Sequence, residues 1–172
     1  MKRITSRSGA AGAVVLAAGV AATAAFAVPP PPSSVFDGNT SQTSVKDHRV
    51  EVQTNSAGHV KAVYVQWRAK CKAKGKFWRS TTKASKSGGL PESGDAFSYK
   101  HTYKARIFDE DDQPTDITGT ITYTLKGSFS DNDNVAGTWT AKVIVKKKRK
   151  KIDTCKLPKI TWTAKRVEEQ QG

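Results

Sequence analysis

Beyond Pro32, apolar and polar residues alternate almost one by one, and no stretch repeats its apolar residues at the 3.6-residue spacing of a helix. Such alternation places every second side chain on one face of a β-strand. Val63, Val65, Trp67, Ala69 and Cys71 share a face in this way, as do Phe97, Tyr99, Tyr103, Ala105 and Ile107. The clearest set is Ile117, Ile121, Tyr123, Leu125 and Phe129, opposed by Thr118, Thr120, Thr122 and Thr124. Trp139, Ala141, Val143 and Val145 form another, and Ile160, Trp162 and Ala164 a last one. Shorter strands are expected at residues 35–40, 45–54 and 77–82. Turn residues separate these runs at 55–58, 87–91, 109–114 and 131–134, where Asn, Asp, Gly, Ser and Pro gather. About eight short strands, each with one apolar face, predict an all-β antiparallel sandwich, jelly-roll-like in one variant. An up-and-down barrel is the alternative. A Trp-x-Ala-Lys echo at Trp67, Trp139 and Trp162 has no fixed period. It reads as inward Trp and Ala with an outward Lys, not as a repeat unit.

The first residues follow another pattern. Lys2, Arg3 and Arg7 precede an uncharged Ala-rich run that ends in Ala25-Phe26-Ala27, followed by Val28 and four prolines. A basic start, an apolar middle and small residues at the A-x-A positions describe a secretory signal peptide over residues 1–27. The protein is therefore expected outside the cytoplasm, secreted and in contact with the cell wall. Residues 28–34 would form a Pro-rich lead-in, 35–167 one β domain, and 168–172 a disordered tail. Cys71 and Cys155 are the only cysteines and lack further His or Cys at metal-ligand spacing. In an exported chain they are expected to form one disulfide closing a long loop.

Charge adds a candidate site. The chain carries a formal net charge of +14, and loss of Lys2, Arg3 and Arg7 with the leader takes it to +11. An exported protein this basic favours anionic partners, namely wall polymers, anionic lipid headgroups, acidic polysaccharides or free nucleic acid, and charge alone does not choose among them. Arg68, Lys70, Lys72, Lys74 and Lys76 occupy alternate positions, which would line one strand face if the strand persists to Phe77. Lys146, Lys147, Lys148, Arg149, Lys150 and Lys151 form an unbroken basic run only four residues before Cys155. A Cys71–Cys155 bond would make the two segments neighbours, with Lys156 beside them. Against this stands the reading of both as solvated turn and strand faces.

Other chemistries find less support. Nucleic-acid binders interleave cations with exposed stacking aromatics, whereas parity puts Trp67 and Phe77 opposite the basic series, and the second run has no aromatic. A carbohydrate-binding module would use Tyr64 and Trp78, which have outward parity, or the threonine row at 118–124. The acidic clusters at 109–112, with Asp116, and at 131–134 read as turns and not as calcium loops, since neither has the EF-hand pattern. His101 has inward parity and is expected to be a core histidine. His48 and His59 belong to no catalytic motif, and neither G-x-S-x-G nor H-E-x-x-H occurs. A small hydrolase built on two distant carboxylates is the remaining enzymatic alternative. No cofactor or metal is implied.

The order Phe36-Asp37-Gly38-Asn39-Thr40-Ser41-Gln42, Trp67 and Cys71, Gly137-Thr138-Trp139, Cys155 and Trp162-Thr163-Ala164-Lys165-Arg166 resembles a group of small exported proteins of high-GC Gram-positive bacteria. The resemblance implies a disulfide-stapled β domain and no activity. The Lys-rich segment before Cys155 is heavier than that pattern. The sequence as a whole predicts a secreted, non-enzymatic binding module that meets anionic polymer through the two basic segments.

Overall fold

The computed structural model describes residues 29–43, 48–108 and 113–167. The expected leader and tail, the acidic cluster at 109–112 and the beginning of the strand expected at 45–54 lie outside the described residues. Among the described residues the fold is all-β, with no helix. The strands are β1 (Val35–Thr40), β2 (Arg49–Thr54), β3 (Val60–Cys71), β4 (Phe77–Ser85), β5 (Glu92–Ser93), β6 (Ala96–Phe108), β7 (Pro114–Phe129), β8 (Asn134–Lys147) and β9 (Lys150–Arg166).

All belong to one antiparallel sheet in the order β4-β3-β2-β1-β9-β8-β7-β6-β5. Apart from β1–β9 and a short β3–β9 contact, sheet neighbours are also sequence neighbours, so the path is an up-and-down meander without a Greek-key crossing. The sheet folds over until its two halves face each other. Trp67 on β3 meets Trp139 on β8 at 6.5 Å between ring centroids, and Phe36 on β1 meets the edge of Phe129 on β7 at 5.3 Å. Near the sheet ends a side-chain contact joins β4 to β6: Thr82 Oγ1, which accepts from Trp67 Nε1 of β3 at 2.9 Å, lies 2.7 Å from the Tyr103 hydroxyl.

The hydrophobic alternation explains the register. Ile121, Tyr123, Leu125 and Phe129 are buried on β7, while Thr118, Thr120, Thr122 and Thr124 face outward and are half-buried. A one-residue slip would expose the first set and bury the second. The centre is aromatic: Trp67, Trp139, Trp162, Tyr123, Phe36 and Phe129 are all but inaccessible. Gly137 makes room for it, because a Cβ there would collide with the Trp162 ring and the Lys126 carbonyl.

The lead-in docks onto the fold. Pro30 is buried, Thr54 Oγ1 donates to the Pro31 carbonyl at 2.6 Å, and Ser33 N donates to Asn55 O at 2.9 Å. Three side-chain placements depart from the sequence reading. His101 is exposed, stacked on Tyr99 with ring centroids 5.7 Å apart, because β4 does not pair with β6 and leaves the inner face of β6 partly uncovered. Trp78 is buried and Phe77 is 47% exposed, the reverse of the parity expectation. Strand β3 ends at Cys71, so its alternation does not run through residues 72–76. The β3–β4 register instead opposes Trp78 to Ala69 and Phe77 to Lys70.

Candidate functional site: a basic corner

The length of β9 creates the site. Its second half pairs with β1, while near its start Cys155 and Lys156 pair with Cys71 and Lys70 at the end of β3. The Cys71–Cys155 disulfide locks that contact across a sequence separation of 84. Both basic segments therefore lie at one end of the molecule, each at a hairpin tip.

The first is not a continuous strand face. Arg68 and Lys70 are on the outer face of β3, whereas Lys72, Lys74 and Lys76 are exposed in the β3–β4 turn around Gly75. Asp153 on β9 pins this turn. Its carboxylate accepts from Lys72 N at 3.1 Å, Ala73 N at 3.3 Å and Thr154 N at 2.6 Å. Lys72 N also donates to Thr154 O at 3.1 Å. Lys72, Ala73, Lys151, Ile152, Asp153 and Thr154 line an open recess of about 440 Å³ between the tips.

The second segment is the β8–β9 hairpin itself. Lys147 pairs with Lys150 and Lys146 with Lys151, leaving Lys148 and Arg149 as a two-residue turn. Their φ angles are 45° and 69°. A left-handed pair at the apex of a two-residue hairpin is the conformation in which Gly and Asn are favoured. Lys and Arg hold it at a cost of about 1 kcal/mol each.

The register also brings in Lys142 and Arg79, which sequence reasoning missed, around Lys156, which it had placed beside the disulfide. Lys156 faces Lys142 on β8 and Lys70 on β3, and Arg68 faces Arg79 on β4. With the two hairpin pairs, this makes five cross-strand pairs of like positive charge in one region. Opposed like charges on neighbouring strands are destabilising. The ion pairs among the described residues, Arg49–Asp37, His59–Glu92 and Arg166–Asp133, involve none of these lysines. The expected Cys71–Cys155 bond had already put Lys156 beside the first segment, and the register specifies Lys70 as its neighbour. Lys142 and Arg79 needed the full register.

The exposed large apolar side chains include two at this corner. Phe77, 47% exposed, lies beside Lys70 with the Arg68 guanidinium 4.4 Å above its ring. Ile152, 54% exposed, occupies the register shift between Val145 and Lys146, where the extra residue of β9 is turned out of the ladder.

The competing sites are weaker. Trp78 is buried and so cannot present a sugar platform, and Tyr64 is half-buried with Lys83 Nζ 5.3 Å from its ring centre. Asp131 folds its own turn, accepting from Asp133 N at 2.8 Å and Asn134 Nδ2 at 2.9 Å. Those bonds hold its carboxyl below the ordinary aspartate range. A hydrogen bond from Arg49 does the same for Asp37. Burial pushes the Tyr123 phenol well above the usual tyrosine range. His59 Nδ1 lies 2.8 Å from Glu92 Oε2, a carboxylate that also receives Val60 N and thereby ties β5 to β3. Asp153 sits beside the two cysteine sulfurs, but their disulfide leaves no thiolate to bind a metal. Comparison with protein-family models, with curated proteins and with solved structures finds no match to this chain.

Proposed function

We propose that the protein is a secreted, non-enzymatic binding module that holds anionic polymer of the cell envelope or its surroundings at the basic corner. Arg68, Lys70, Lys72, Lys74 and Lys76 form one wall of this surface. Lys146, Lys147, Lys148, Arg149, Lys150 and Lys151 form the other, and Lys142 and Lys156 bridge them. The reading rests chiefly on the five like-charge pairs. Each costs the fold a few tenths of a kcal/mol or more, and a polyanion laid across them converts that repulsion into attraction. The left-handed Lys148-Arg149 turn has the same sense, keeping charge where backbone conformation favours Gly or Asn. Binding of this kind releases counter-ions, so it weakens steeply with salt.

Fractionation of the native culture tests this. The protein should sediment with envelope material at low salt and pass into the soluble fraction after a salt wash. Free protein at low salt contradicts an envelope partner. Retention on insoluble polysaccharide through the salt wash would favour sugar stacking, because ring contacts survive screening.

A further inference from the structure

A corner that met only a dissolved polyanion would need cations and nothing apolar. This one also carries Phe77 and Ile152, two of the four large apolar side chains exposed among the described residues. Each follows a basic tip: Phe77 comes directly after the 72–76 turn, and Ile152 directly after the 146–151 run. Through Lys70 and Lys156, Phe77 and the Ile152 region flank the same disulfide pair. Strand geometry puts them on the order of 15 Å apart.

We infer that the corner docks peripherally on an anionic lipid surface, with the lysines over the headgroups and Phe77 and Ile152 entering the boundary between headgroups and acyl chains. The inference rests on the basic corner proposed above and goes beyond a polymer partner to a lipid surface. A cation cluster attracts a negatively charged leaflet, and apolar side chains supply the contact that screening leaves intact. The bulge supports this. It turns Ile152 out of the β8–β9 ladder, and Ile152 has the outward parity of this part of β9, opposite to buried Cys155 and Leu157. Lipid is favoured over single-stranded nucleic acid by the same residue, since an aliphatic Ile offers no stacking face to a base. Contact is confined to two hairpin tips, and no helix among the described residues is long and apolar enough to cross a membrane.

The experiment compares the wild-type protein with Phe77→Ser/Ile152→Ser, a change at two exposed positions. Both are applied to phosphatidylglycerol/phosphatidylcholine vesicles, to pure phosphatidylcholine vesicles, to heparin and to a thymidine oligonucleotide, at low and high salt. Wild type should sediment with the anionic vesicles only and keep part of that binding at high salt. The double variant should lose that residual part, with partitioning roughly tenfold or more weaker, while eluting from heparin as wild type does. Equal vesicle binding by the two proteins, or loss on the oligonucleotide instead of the vesicles, overturns the lipid assignment and leaves the basic corner standing. Failure of both proteins on heparin and on vesicles alike overturns the corner itself and the lipid assignment with it.

Discussion

Single residues decide where this fold is brittle. Gly137 lies under the Trp162 ring and against the Lys126 carbonyl, and a backbone carbonyl cannot move aside. Gly137→Ala should therefore destabilise by about 2–4 kcal/mol in urea titration. Asp131 and Asp37 govern the acid limb instead. Hydrogen bonds lower both carboxyls in the folded state. Their stabilisation is complete above the unfolded aspartate value of about 3.9 and is lost as pH falls through the lowered folded values. Asp37→Asn and Asp131→Asn should each lower the melting temperature at pH 7 and approach wild type near about pH 2. A constant deficit across that range would assign the effect to packing. At this scale the sequence was read only in part. Alternation placed Ile121, Tyr123, Leu125 and Trp139 inside correctly. It misassigned Phe77, Trp78 and His101, because parity does not carry through a turn or say whether an inner face is covered.

At the level of elements, the β8–β9 hairpin trades stability for charge. Lys148→Asn/Arg149→Gly should ease the left-handed turn and raise stability by about 1–2 kcal/mol. The same variant should elute from a polyanion resin at lower salt. A variant that is more stable and binds equally well would show that the two cations at the apex serve no ligand. The β3–β9 contact is the other decisive element. Cys71→Ser/Cys155→Ser opens a loop with a sequence separation of 84, so the chain-entropy model gives a loss of about 4 kcal/mol. Asp153 still ties the 72–76 turn to β9 in that variant, so the basic corner should loosen without coming apart. Amide exchange at Lys72 and Ala73 would report the loosening. The disulfide pairing was legible in the sequence from the cysteine count and the expected leader. The Asp153 contacts were not, because nothing in the local pattern of β9 marks a carboxylate that binds the backbone of another hairpin.

Over the whole molecule, a long β9 closes an up-and-down meander by lying beside β1, β8 and the end of β3. The all-β class followed from hydrophobic period alone. The neighbour order did not, since alternation specifies which face is buried and not which strand lies alongside. The same gap hid Lys142 and Arg79 from the sequence reading, while the convergence of the 68–76 and 146–151 segments was legible through the cysteines. The molecule that results concentrates like charge at one end, in five cross-strand pairs. The most direct measurement is the salt concentration at which the protein leaves heparin resin, compared with a variant in which all six residues of the 146–151 run are Ser. The basic corner predicts that the folded variant elutes at a markedly lower salt concentration, with a shallower dependence of affinity on salt. Elution of both proteins at the same salt would contradict it.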